Sequence, residues 1–131
     1  MEIHIDSIRE ASKELRGNII RTPTVQSHSL SNEINADVFL KLENLQYTSS
    51  FKVRGAYVSI KRLEKAQKKM GIIAMSAGNH AQAVAWWAQK EGVKATIVMP
   101  EQAPLSKVMK TKSLGAEVIL KGRTLNESQN Y

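Results

Sequence analysis

Two stretches of the chain carry residues whose types and spacing could do chemistry. The first is Thr48-Ser49-Ser50-Phe51-Lys52-Val53-Arg54-Gly55-Ala56. It reads as the opening of a helix that breaks several local rules. Ser49 or Ser50 suits the N-cap, where a hydroxyl accepts a hydrogen bond from a free backbone N–H of the first turn. Val53, Ala56, Tyr57, Ile60 and Leu63 then recur at helical spacing. Yet Lys52 and Arg54 put two cations where the helix dipole favours anions. Gly55 costs about 1 kcal/mol relative to Ala inside a helix. Local rules broken together mark candidate functional sites. A lysine held near partial positive charge has its ammonium form disfavoured, which leaves more free amine to act as a nucleophile. A glycine lets another group approach the backbone closely. Taken alone, Lys52 reads more simply as a solvated surface lysine.

The second stretch is Ser76-Ala77-Gly78-Asn79-His80. It lies between the apolar run Ile72-Ile73-Ala74-Met75 and an apolar helical pattern. That is the carboxyl end of a parallel strand, where open α/β sheets bind ligands. The turn would aim free N–H groups at one spot and the helix would add its positive end, so a carboxylate would be held there. Simpler readings stand beside these: Asn79 as a plain N-cap, Phe51 as a core aromatic and His80 as a first-turn residue held by backbone. His4, His28 and His80 are scattered without metal-ligand spacing, and the chain has no cysteine, so no metal site is expected. No nucleophile elbow, P-loop or dinucleotide fingerprint occurs.

The elements that position these stretches follow from periodicity and punctuation. Asp6 caps a first helix carrying Ile8, Ala11 and Leu15, stopped by Gly17. Thr22-Pro23-Thr24 is extended, because Pro disfavours helix before it. Residues 32–35 are turn-like, and 37–43 read as a mostly buried strand. A helix is expected from Phe51 to Lys68, a buried strand at 72–75, and a helix from Asn79 to Lys90 closed by Gly92. Ala95 to Met99 is a strand stopped by Pro100, followed by a helix with Pro104 in its first turn. Residues 116–120 form another strand, and Thr124 starts a further helix. Trp86 and Trp87 lie on a helix apolar nearly all round, so they read as core or domain-interface packing. Strands alternating with helices of this length predict α/β architecture with a parallel sheet of right-handed βαβ units.

The segment Ser50 to Ala56, Ser-Phe-Lys-Val-Arg-Gly-Ala, resembles the lysine motif of the fold-type II pyridoxal-phosphate enzymes, in particular the threonine and serine dehydratases. Ser76 to Gln82 resembles that family's second signature, in the expected order. The resemblance runs from about Ile8 to the end of the chain. It implies that Lys52 carries pyridoxal 5'-phosphate covalently and takes the α-proton. It implies that Phe51 packs near the cofactor ring and that Asn79 bonds the ring hydroxyl oxygen. Ser76, Ala77, Gly78, Asn79 and His80 would form the loop holding the substrate carboxylate. Residues 1–47 would be an incomplete part of the large domain, and residues 48–131 most of the small cofactor- and substrate-binding domain.

Departures from the family pattern sharpen the reading. Val53 follows the lysine where synthase-like relatives carry Asp. Ala77 stands where serine racemases carry the second-face base, and a methyl group cannot move a proton. The seven glycines are isolated, so the glycine-rich phosphate loop of the family is missing. The resemblance therefore implies a threonine dehydratase acting also on serine, this chain being an inactive front part, less than half, of the catalytic domain. A serine racemase or β-replacing enzyme of the same fold is the alternative. From another class, a non-catalytic packing or polyanion-binding module would also account for the chain.

Composition bounds these readings. The chain has 131 residues, enough for one domain with a real core. No apolar run reaches membrane-spanning length, and the N-terminus lacks a signal-peptide core. A cytoplasmic protein with no membrane partner is expected, and the resemblance implies a homo-oligomer acting on a small amino acid. The net charge of +7 gathers at Lys61, Arg62, Lys65, Lys68 and Lys69, and at Lys107, Lys110 and Lys112. No aromatics interleave with these to stack bases, so solvated helix faces are expected rather than a nucleic-acid surface.

Overall fold

The computed structural model describes residues 4–130. The expected alternation is present from Ile72 onward. Strands β3 (Ile72–Met75), β4 (Ala95–Met99) and β5 (Glu117–Leu120) form a parallel sheet in the order β3-β4-β5. Its register pairs Ile72 with Ala95 and Thr96 with Glu117. Helix α5 (Asn79–Lys90) links β3 to β4, and α6 (Leu105–Ser113) links β4 to β5. Helix α7 (Leu125–Gln129) follows, with the Thr124 hydroxyl accepting from the Glu127 N–H.

Central β4 is the driest element: Ala95, Ile97, Val98 and Met99 are buried. With α5, whose Ala81, Ala83, Val84, Ala85, Trp87 and Ala88 are buried, it forms the heart of the core. Four alanines there let the helix lie close to the sheet. Each Leu- or Ile-sized side chain so removed from water contributes about 1.5–3 kcal/mol, which favours the continuous apolar run of a central parallel strand. Gly71 starts β3 at φ +88°, and a Cβ there would meet the Lys94 carbonyl oxygen at 2.9 Å. Only glycine fits that turn and that approach.

Sheet β3-β4-β5 is preceded by α3 (Lys52–Lys61) and α4 (Lys65–Met70). The sequence predicts one helix over 51–68; the structure has two. The break comes at Glu64, whose side chain accepts from the backbone of Gln67 while the Gln67 side chain accepts from the Glu64 N–H. This reciprocal capping box starts a new helix inside the apolar pattern. Edge strand β3 is also less buried than expected, with Ile73 79% exposed.

The N-terminal segment departs further from expectation. Helix α1 (Ile5–Leu15) places Asp6 in its first turn, paired with Arg9 at 3.1 Å, and not at the cap, which is His4. Gly17 follows at φ +76° as the expected stop. Residues 32–34 belong to helix α2 (His28–Ile34) rather than to a turn; the turn is Asn35 alone, left-handed at φ 52°. Asn tolerates that conformation better than other non-glycine residues. The strand predicted over 37–43 shrinks to β2 (Phe39–Lys41), pairs antiparallel with β1 (Thr24–Gln26), and is exposed instead of buried. Glu43–Leu45 and Tyr47–Ser49 are short 3-10 turns leading to α3.

Candidate active site

Lys52 is the first residue of α3, and its amide donates to the Ser50 hydroxyl at 3.3 Å. The N-cap of α3 is Phe51, not Ser49 or Ser50 as the sequence suggests; the Ser50 hydroxyl lies one residue further out and accepts from the Lys52 amide. The two residues before it are strained: Thr48 and Ser49 both sit at positive φ, 57° and 54°. Non-glycine residues held there cost about 1–2 kcal/mol each. The Thr48 hydroxyl is buried without a hydrogen-bond partner. Lys52 itself is exposed, with its ammonium 5.2 Å from the centroid of the Phe51 ring. Phe51 is 59% exposed, so it is not a core aromatic.

The cation that looked misplaced at Arg54 has a partner from far along the chain. Its guanidinium donates twice to the Glu43 carboxylate, at 2.9 and 2.7 Å, and the Thr22 hydroxyl donates to the same carboxylate at 2.5 Å. Arg54 holds Glu43 below the usual carboxylate range, against the opposing effect of burial, with Thr22 and Lys41 helping. Glu43 in turn raises Arg54. Forked pairs of this kind are geometrically specific. Next to it, the buried Gln46 amide grips the backbone of Ile20, accepting from its N–H at 3.1 Å and donating to its carbonyl at 2.8 Å. Together these side chains fasten the N-terminal segment to the start of α3. Only Arg54 of the group was singled out by sequence pattern, and nothing in local spacing points to Glu43, Thr22 or Gln46.

Ser76, Ala77 and Gly78 join β3 to α5, at the carboxyl end of the strand as expected. The Ser76 amide donates to the Val98 carbonyl at 3.1 Å and continues the ladder. Its hydroxyl accepts from the Gly78 N–H at 3.2 Å, which commits that amide. The amides of Ala77, Asn79 and His80 have no acceptor among the described residues and remain for a ligand. A Cβ on Gly78 would meet nothing within 4 Å, so the space in front of the loop is open. Asn79 and His80 are exposed. His80 titrates below the ordinary histidine value because partial burial and the Lys52 charge disfavour its imidazolium. Helix α3 packs against α5, and the Lys52 charge reaches His80 at the start of α5.

Aromatic side chains lock that arrangement from behind. Tyr47 packs on Trp86 with centroids 4.4 Å apart, Trp86 on Trp87 at 4.5 Å, and Trp87 on Tyr57 at 4.6 Å. Trp87 also donates its indole N–H to the Val53 carbonyl at 2.9 Å, in the interior. The packing expected of both tryptophans is present, with Trp87 buried and Trp86 half-buried.

An exposed amine at the start of α3 and unbonded N–H groups at the start of α5, at the carboxyl end of a parallel strand, are the groups this region offers to a ligand. Residues 15–131 match the family described as pyridoxal-phosphate dependent enzyme, and the chain belongs to that family. It is 49% identical over 126 residues to the L-threonine ammonia-lyase of Thermotoga maritima, covering 96% of this chain and 31% of that protein. It is 52% identical over 130 residues to the catabolic L-threonine dehydratase of Staphylococcus aureus (strain USA300), covering 98% of this chain and 38% of that protein. The solved structure of maize serine racemase superposes with a TM-score of 0.91 at 37% identity, covering 99% of this chain and 40% of that one. The chain thus spans well under half the length of these relatives.

The residues present fit one end of the family's cofactor. Lys52, Phe51 and Asn79 are exposed, and the loop amides suit a carboxylate. For the phosphate end the described residues offer no cradle: Gly17, Gly71, Gly92, Gly115 and Gly122, all at positive φ, stand singly at the ends of elements. Among the described residues no group of acidic, histidine or cysteine side chains could hold a metal ion. No described helix is long and apolar enough to cross a membrane.

Proposed function

We propose that the chain carries the lysine-bearing part of a pyridoxal-phosphate-dependent L-threonine ammonia-lyase that also accepts L-serine. The observation that carries this reading is the packing of α3 against α5, which puts Lys52 and the Ala77-to-His80 loop at the starts of two neighbouring helices. Identity of about half the residues to threonine ammonia-lyase and dehydratase supports the substrate class. When bound, the cofactor supplies an electron sink for the charge left at the α-carbon. The chain's own residues do the rest. Lys52 would hold the cofactor through its Nζ and serve as the base for the α-proton. The amides of Ala77, Asn79 and His80 would bind the carboxylate and orient the substrate. The Asn79 side chain would bond the ring hydroxyl oxygen, and Phe51 would pack near the ring. Loss of the β-hydroxyl and hydrolysis would give a 2-oxo acid and ammonia.

We place the domain boundary near residue 47, and two separate sheets on either side of it support that division. Homo-oligomer formation and a cytoplasmic location belong to the same reading. The second reading is serine racemisation, favoured by the likeness to the maize enzyme. Ala77 argues against it, because its side chain has no proton to exchange on the second face of the substrate.

The test is the visible absorbance of the purified chain with pyridoxal phosphate added, beside a Lys52→Ala variant. A band above the free cofactor's, present only with Lys52, is expected. The same band in Lys52→Ala overturns the lysine assignment. Transfer of the cofactor band to another residue, such as Lys41, overturns it too.

A further inference from the structure

We propose that Trp87 is a positioning residue for Lys52, an inference that rests on the reading of Lys52 as the cofactor lysine. Val53, the residue after that lysine, is fully buried, and its carbonyl accepts the Trp87 indole N–H at 2.9 Å. Trp87 lies on α5, whose first residues are Asn79 and His80. One hydrogen bond therefore ties the backbone beside the lysine to the helix that presents the carboxylate loop. The aromatic contacts make the tie stiff from both directions along the chain. Tyr47, five residues before Lys52, stacks on Trp86, and Tyr57, five residues after it, packs on Trp87. Between Tyr47 and Lys52 the backbone is wound left-handed at Thr48 and Ser49. A strained segment keeps its shape only where its surroundings over-determine it, and this one is packed against α5, with Tyr47 on Trp86. An indole N–H buried without an acceptor is costly, so movement of Val53 away from α5 is opposed. The backbone that bears Lys52 is thereby held in one place relative to α5, as a site needs that must orient two ends of one molecule.

The experiment replaces Trp87 in the full chain by β-(3-benzothienyl)alanine, which keeps the ring shape and removes the N–H donor. Trp87→Phe is a second, genetically encoded variant. Ile97→Val, in the fully buried centre of β4, is the control for general loss of stability. Each protein is incubated with pyridoxal phosphate and reduced with borohydride. A lysine amine condenses with the aldehyde, losing water, and hydride then adds to the carbon of the C=N bond while its nitrogen takes a proton. Peptide mass spectrometry reports the share of label on Lys52 against the other lysines. The wild-type chain is expected to carry label preferentially on Lys52. Both Trp87 variants should lower that preference on the order of fivefold, the factor that one net hydrogen bond carries in an equilibrium, and Ile97→Val should leave it unchanged. An unchanged preference in the Trp87 variants, or an equal fall in Ile97→Val, overturns the positioning role while leaving the lysine assignment intact. No preference for Lys52 in the wild-type chain overturns the assignment itself and the inference with it.

Discussion

Gly55 sits inside α3, is exposed, and a Cβ there would meet nothing within 4 Å. Nothing in the chain's own packing asks for glycine. Gly55→Ala should therefore stabilise the chain by about 1 kcal/mol, the helix-propensity difference, measured by urea denaturation. A loss of stability would show that the position is constrained by something other than space. His80 gives a second residue-level test. Its folded-state titration is lowered first by partial burial and then by the Lys52 charge. Lys52→Ala should raise its midpoint part of the way back toward 6.5, read by NMR from the imidazole ring protons. A midpoint that stays put would mean that the amine does not face the ring. The sign for stability follows from linkage. The folded state binds this proton less readily than the unfolded chain, so the His80 contribution is present above the ordinary histidine value and is lost as pH falls through the lower, folded one.

Among the elements, the joint between the N-terminal segment and α3 is electrostatic as well as apolar. Glu43, half-buried and gripped by Arg54, titrates below its ordinary value of 4.5. Its contribution to stability is present above that value and is lost as pH falls through the lower, folded one. Glu43→Gln should flatten the fall in urea midpoint below pH 4.5, and an acid limb as steep as the wild type's would rule the pair out as its cause. This joint was also where sequence reading stopped. Arg54 looked misplaced against the helix dipole because its partner lies eleven residues back, across two turns, where periodicity carries no information. The parallel strands and α5 were legible because their apolar runs and their glycine and proline stops are local. The break at Glu64 was legible in principle from Glu64 and Gln67, but the apolar spacing that runs through it pointed to a single helix. The lysine and the Ser76 loop were picked out by broken local rules and motif order, whereas the tie between α3 and α5 runs through Trp87, whose acceptor is a backbone carbonyl that no side-chain pattern reveals.

At the scale of the molecule, exposed apolar surface concentrates at the N-terminal segment. Ile5, Ile8, Val25, Leu30, Ile34, Phe39 and Leu45 are each at least 40% exposed. Contiguous surface of this kind drives association, so sedimentation of the chain should show self-association that weakens in an Ile34→Lys, Phe39→Lys double variant. A monodisperse wild-type monomer would refute it. The burial expected of the 37–43 strand came from its apolar letters, and the pattern of letters cannot say whether a covering element exists. The basic cluster on α3 and α4 is partly answered: Lys61 and Lys68 both pair with Glu91, and Arg62 pairs with Glu14 at 2.6 Å. These pairings offset part of the positive field of that helix face.

Both tryptophans of the chain lie in the aromatic stack behind Lys52. The intrinsic emission of the protein is therefore a local optical signal from the seam between α3 and α5. In an unfolding experiment, fluorescence follows that seam while far-ultraviolet circular dichroism follows all the helices and strands, and coincidence of the two curves is the condition for a single cooperative transition. A fluorescence curve that shifts at lower urea than the dichroism would show the seam parting while the sheet still stands. Pyridoxal absorbance overlaps indole emission, so arrival of the cofactor at Lys52 would also register as quenching, with no label added to the chain.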